Sequence, residues 1–182
     1  ACLAGRDFFY ASDHGDISVL VGSESIENLS CSLDGRHQQD NYAQAVAAAI
    51  ELREQGLSIT DVAIRAAGRT LLWPGRLEWW ACRQKLLADV AHNRAGIGSL
   101  ADYLGDLQVT KIHLVTGLSG ERAPEEVMLP LENLVASVYA VPVCYGPGVP
   151  TARIAAWAAG VALSCTEYLS AEEGLAAAVA AC

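Results

Sequence analysis

Four short stretches of this chain hold residue types able to do chemistry. They are Leu33-Asp34-Gly35-Arg36-His37-Gln38-Gln39-Asp40-Asn41, Trp73-Pro74-Gly75-Arg76-Leu77-Glu78, Leu87-Ala88-Asp89-Val90-Ala91-His92-Asn93, and the loop Thr116–Arg122. The third has the clearest logic. It reads as an apolar strand ending on a carboxylate, followed by His-Asn at the entry to a helix. In parallel α/β sheets, ligands bind beyond the carboxyl ends of strands. Asp89 there can accept from ribose hydroxyls or act through a metal-bound water, and His92 can stack on a base. The competing reading is that Asp89 or Asn93 only caps the helix. Arg76 leaves a Pro-Gly bend, and a guanidinium so presented suits phosphate or carboxylate; an interdomain salt bridge is the alternative. His37 and Asn41 fall at a helix start, where backbone N–H groups favour anions, although simple capping also accounts for them. The fourth stretch, with Gly117 and Gly120, lacks the G-x-x-x-x-G-K-[ST] pattern, as does the whole chain, and reads as a strand-to-helix turn.

The elements that must position these residues follow from periodicity. Asp7–Tyr10 and Ile17–Val21 read as strands around an Asp13-His14-Gly15-Asp16 turn, and Ile26–Leu33 as a third. Ala43, Val46, Ala47 and Ile50 recur at helical spacing, and Gly56 ends that run. Ser58-Ile59-Thr60-Asp61 resembles a capping box, with a helix to about Gly68. After the Trp-Pro-Gly bend, Glu78–Arg83 and Leu86–Val90 read as strands. Ile97, Leu100, Ala101 and Leu104 mark a helix, and Lys111–Thr116 a strand. Pro124–Ser137 is expected to be helical with Pro124 in its first turn. Val138–Cys144 is expected as a strand that Pro142 puts near an edge or ends early. Thr151–Ala159 and Ala171–Ala181 are helices, the second capped by Ser170 with Glu173. Alternating strands and helices from Leu86 onward predict an α/β fold with a mainly parallel sheet flanked by helices. Trp79 and Trp80 belong in a core or an interface.

Composition bounds the function. The chain has 182 residues, 52% hydrophobic and 18% charged, with a net charge of −9. That describes a folded protein of one domain or slightly more. Only Lys85 and Lys111 among the twelve basic residues are lysines. A nucleic-acid binder normally shows a basic face, so no nucleic-acid partner is expected. Six cysteines without CxxC or zinc spacing read as reduced and mostly buried, in a cytoplasmic protein. No apolar run reaches about 18 residues, so no membrane span is expected. The start at Ala1 and the stop at Cys182 inside a helical pattern read as ends cut from a longer protein.

Together the first three stretches resemble the folylpolyglutamate synthase/dihydrofolate synthase branch of the Mur ligase superfamily. Those enzymes show G-x-HQ-x-x-N, W-P-G-R-[LF]-[EQ] and D-x-AHN in that order, here Gly35–Asn41, Trp73–Glu78 and Asp89–Asn93. The resemblance implies that residues 1–70 are the C-terminal part of the central P-loop ATP-binding domain. Residues 71–182 would be the Rossmann-like C-terminal domain, truncated before its final G-S-x-Y strand. It implies ATP contacts from Asn41, Arg76 and Asp89, with His92 near the adenine and Arg76 as the catalytic residue. The implied reaction joins L-glutamate to a folate or dihydropteroate carboxylate through an acyl phosphate, using ATP and Mg2+. The magnesium ligands would lie outside this chain. The implied protein is a monomer, and the chain alone would be inactive. One departure is Gly120-Glu121-Arg122, where relatives usually carry D-K-D. A UDP-MurNAc-type amino acid ligase would read HN-x-x-N where this chain has His37-Gln38, and a non-catalytic nucleotide-binding module is the reading from another class.

Overall fold

The computed structural model describes residues 4–13, 15–81 and 85–182. Its contacts divide the chain into two units, Ala1–Glu78 and Trp79–Cys182. The sequence placed a boundary at 70/71. The bend at 73–78 falls in the first unit, where Leu77 is 2% exposed and lies beside Gly35.

The first unit begins with an antiparallel meander, β1 (Phe8–Asp13), β2 (Asp16–Val21) and β3 (Glu24–Leu29). Alternation puts Phe8, Ile17, Val19, Val21, Ile26 and Leu29 on one buried face. Helix α1 (Arg36–Glu54) lays Tyr42, Ala43, Val46, Ala47 and Ile50 over that face. Ala43 and Ala47 are small enough to let its backbone approach the sheet. Helix α2 (Asp61–Thr70) adds Ile64. Its cap is Thr60, whose hydroxyl accepts from the Ala63 N–H at 3.2 Å, and not the expected Ser58. Arg53 links three elements, with Nη1 2.6 Å from a Glu24 oxygen and Nη2 2.9 Å from Asp61.

Strand β4 (Glu78–Ala81) starts on the last residue of the first unit and continues into the second, pairing with β5 (Lys85–Ala88), and α3 (Arg94–Asp106) follows. A three-stranded parallel sheet follows in sequence order: β6 (Ile112–Thr116), β7 (Val135–Ala140) and β8 (Ser164–Glu167). Helix α5 (Thr151–Gly160) connects β7 to β8, and α6 (Ala171–Ala181) packs on β6 and β7. Ile97 and Leu104 of α3, Val135, Val138 and Ala140 of β7, and Ile154, Trp157 and Ala158 of α5 form its core. The α/β class with a parallel, helix-flanked sheet is therefore as expected.

Several local expectations fail for identifiable reasons. The helix expected over 124–137 stops early. It is a single turn, α4 (Pro124–Val127), then a 3-10 turn at Leu129–Leu131, and β7 is already running at Val135. Pro130 has no N–H to donate and its ring opposes the carbonyl four residues back, so the helix cannot pass it. β7 is central and ends at Ala140, two residues ahead of Pro142, which removes the conflict between proline and a central strand. β8 was not expected. Ser-Cys-Thr-Glu carries little apolar signal, and only Cys165 turns toward the core. Among the described residues β5 pairs with β4 and not with the parallel sheet. Trp79 and Trp80 are exposed at 39% and 53%, Trp79 donating its indole N–H to Tyr103 Oη at 2.9 Å. Cys31 and Cys165 are half-buried as free thiols, whereas Cys144 and Cys182 are exposed. Cys2, Cys82 and His14 lie outside the described residues.

Candidate functional site

In the first unit, the candidate residues gather where the bend meets the start of α1. Gly35 precedes the helix at φ 92°, a conformation open to glycine, and offers no side-chain cap. His37 Nε2 and Gln38 Nε2 lie 3.0 Å apart, and Asn41 Nδ2 donates to Gln38 Oε1 at 3.3 Å. Gln38 is the sole buried polar side chain among the described residues, at 6% exposure. Asn41 is exposed one turn further along the helix. On the neighbouring turn, Tyr10 Oη donates to Asp40 Oδ1 at 2.6 Å. That hydrogen bond is the main reason the Tyr10 phenol is pushed above its ordinary pKa. Arg76 is half-buried and makes no hydrogen bond or ion pair among the described residues.

In the second unit, the Asp89–Asn93 stretch forms the turn between β5 and α3. β5 ends at Ala88, so Asp89 stands just past the strand instead of closing it. Both sequence readings find a place here. Asp89 Oδ1 accepts from the Ala91 N–H at 2.7 Å, an Asx turn, while Asn93 is the helix cap, accepting from the Gly96 N–H at 2.8 Å. Asp89 is half-buried, whereas His92 is exposed with Nδ1 3.1 Å from the Val90 carbonyl.

An open cleft of about 500 Å³ lies against this turn. Its walls are His92, Asn93 and Arg94 at the start of α3, Glu121, Arg122 and Ala123 after β6, and Glu126 and Val127 of α4. Arg122 Nη1 donates to the Ser119 carbonyl and to Ser119 Oγ, which holds its side chain over its own loop. A Cβ on Gly117 would stand 2.6 Å from the Val141 carbonyl oxygen. This loop is glycine-bearing because its backbone passes close to the end of β7, and phosphate binding is not needed to explain it. Sequence reading treated Gly117–Arg122 as a plain turn and did not single out Arg94 or Glu126. Arg94 opens α3 after β5, which lies outside the parallel sheet, and Glu126 lies inside α4, well past the end of β6, so neither carried a strand-end signal. Asn41 and Arg76 thus stand in one unit and Asp89 and His92 in the other. Among the described residues no group of three or more His, Cys, Asp or Glu could hold a metal ion. No helix of the described residues is long and apolar enough to cross a membrane.

No family model matches the chain. Curated relatives do. Over 124 residues it is 28% identical to the dihydrofolate synthase/folylpolyglutamate synthase of Bacillus subtilis (strain 168), a match covering 67% of this chain and 29% of that protein. Over 149 residues it is 30% identical to the folylpolyglutamate synthase of Lacticaseibacillus casei, covering 81% and 32%. The chain therefore spans under a third of the length of these two relatives. Among solved structures, E. coli FolC in complex with DHPP and ADP aligns with a TM-score of 0.81 at 22% identity, over 97% of this chain and 41% of that one. Mycobacterium tuberculosis folylpolyglutamate synthase complexed with ADP aligns at 0.82 and 20%, over 98% and 41%. By sequence, and by the fold it shares with these structures, the chain is a homologue of part of the folylpolyglutamate/dihydrofolate synthases.

Proposed function

We propose that this chain is part of an ATP-dependent ligase that joins L-glutamate to a folate or dihydropteroate carboxylate. The first unit is assigned to the C-terminal part of the central ATP-binding domain and the second to the C-terminal domain. The observation that carries the reading is the state of the motif residues. Asn41 lies in the second turn of α1, Asp89 and His92 in the turn between β5 and α3, and Arg76, in the bend ahead of β4, is a half-buried guanidinium with no partner among the described residues. Such a group, already partly desolvated, suits a phosphate oxygen pair.

The residues fit a nucleotide. ATP supplies the phosphoryl group that activates the substrate carboxylate for attack by the glutamate amine. Arg76 is assigned to neutralise charge on that phosphoryl group, worth several kcal/mol in such roles. Asn41 offers an exposed amide, held by one long bond to Gln38. Asp89, whose Oδ1 accepts from the Ala91 N–H, is assigned to the nucleotide as a hydrogen-bond acceptor. His92, its ring oriented through Nδ1, is assigned to the base. Magnesium is not assigned to any residue of this chain. The protein is assigned to the cytoplasm, where both substrates and ATP are available.

The test is the ligation itself. The protein containing this chain, with its upstream coding sequence, is incubated with ATP, L-glutamate and either dihydropteroate or tetrahydrofolate. A glutamylated product together with stoichiometric phosphate supports the proposal. Product from a UDP-muramyl acceptor instead, or nucleotide binding with no ligation, contradicts it.

A further inference from the structure

Arg76 sits in a backbone geometry that a plain linker would not require. Gly75 has φ 72° and Leu77 has φ 47°, so two residues flanking Arg76 are left-handed. Glycine adopts that region freely, whereas leucine does so only when its surroundings hold it there. Two contacts do the holding. Glu78 Oε2 accepts from the Gly75 N–H at 2.8 Å, closing the bend across Arg76. The Leu77 side chain is 2% exposed, and its Cδ1 would lie 2.6 Å from a Cβ placed on Gly35. The same Cβ would lie 3.0 Å from His37 Cε1. Leu77 therefore fills the space that Gly35 leaves open, beside the His37–Gln38–Asn41 chain of contacts.

We propose that Leu77 and Glu78 are positioning residues for Arg76, and that they register its guanidinium against the Asn41-bearing start of α1. This rests on the assignment of Arg76 to phosphate made above. Leu77 fixes the bend from below by seating on Gly35, and Glu78 fixes it along the chain by holding Gly75. Arg76 is left between two clamped neighbours, with its own hydrogen-bonding groups unspent among the described residues. The acidic residue at 78 thus acts through a backbone amide and does not neutralise the arginine it follows.

The test is a double-mutant cycle in the protein that carries ligase activity. Glu78→Ala removes the acceptor for Gly75, while Glu78→Gln keeps an oxygen there. The expected result is a loss in kcat/KM for ATP of about tenfold for Glu78→Ala and of no more than about twofold for Glu78→Gln. In an Arg76→Ala background, Glu78→Ala should cause no further loss, because it acts only through the arginine. Leu77→Ala and Leu77→Met are expected to follow the same pattern. Should Leu77→Ala fail to fold, the Glu78 pair carries the test alone. Equal losses from Glu78→Ala in both backgrounds, or no loss in either with circular dichroism unchanged, overturn the proposal. If Arg76→Ala alone has normal kinetics, the assignment of Arg76 fails, and this inference with it. If Arg76→Ala is impaired and Glu78→Ala is not, only the positioning role fails.

Discussion

Gly68→Ala should destabilise the first unit although the residue lies in helix α2, where alanine is normally the better choice. An added Cβ would stand 2.3 Å from Tyr42 Oη and 2.4 Å from both Tyr42 Cζ and the Ser30 carbonyl oxygen. The Ser30 oxygen is backbone and cannot rotate away. Tyr42 is 8% exposed and donates its hydroxyl to the Ile64 carbonyl at 2.9 Å, so moving it breaks a buried hydrogen bond. Overpacking costs about 1–3 kcal/mol and the Tyr42 hydroxyl left without its acceptor about 1–3 kcal/mol. Helix propensity returns about 1 kcal/mol. The net loss is then about 3 kcal/mol, or a fall in Tm of roughly 10–20 °C for a unit this small. Hydrogen exchange of the α1 amides reads the first unit separately from the second. Gly98→Ala is the control, since it lies in α3 with nothing within 4 Å of the added atom. It should gain about 0.5–1 kcal/mol. If Gly68→Ala leaves α1 protection unchanged, α2 does not press on Tyr42 as described, and the packing that supports the start of α1 needs another account.

Further outcomes follow from the same geometry. Asp89→Asn should weaken ATP use while leaving Tm within a few degrees, because an amide oxygen can still accept from Ala91; a large fall in Tm with normal ATP kinetics would make Asp89 a structural turn residue. Arg76→Lys should lose roughly 2–4 kcal/mol of transition-state stabilisation despite keeping its charge, since an ammonium cannot grip two oxygens in a fixed plane; near-normal turnover would show that only charge is needed. Burial pushes the Cys31 and Cys165 thiols above their ordinary pKa, so less thiolate is present at neutral pH and their alkylation should lag behind that of exposed Cys144 and Cys182; mass-spectrometric labelling at pH 8 that finds Cys31 as fast as Cys144 would contradict this. The 182-residue chain alone should not release phosphate from ATP in a folate- and glutamate-dependent way, because it holds no P-loop pattern, and such release would overturn the division of labour proposed here.

The sequence carried the long elements well and the short ones poorly. Ala43, Val46, Ala47 and Ile50 announce α1 because a long helix repeats its buried stripe several times. β8 has only Cys165 to turn inward, so its pairing with β7 is a tertiary fact with almost no local signature. Pro124 was a sound helix start, but Pro130 was a stop that deserved equal weight. At the candidate site, spacing located the residues without locating their contacts. Asn93 and Asp89 were interchangeable as caps on paper, and the structure divides the work between an Asx turn and a cap. Leu77 had no signal at all, since a left-handed leucine is specified by Gly35, which is distant in sequence.

The central claim is that Arg76, Asn41 and Asp89 serve a nucleotide in a folate–glutamate ligase. Steady-state kinetics of Arg76→Ala and Arg76→Lys, in the protein containing this chain with ATP, L-glutamate and a pterin acceptor varied in turn, test it most directly. The account predicts glutamylated product from the unaltered protein and a loss of about 30-fold or more in turnover for both variants, with folding unchanged. Normal turnover in the alanine variant, or no glutamylated pterin from the unaltered protein, would contradict it.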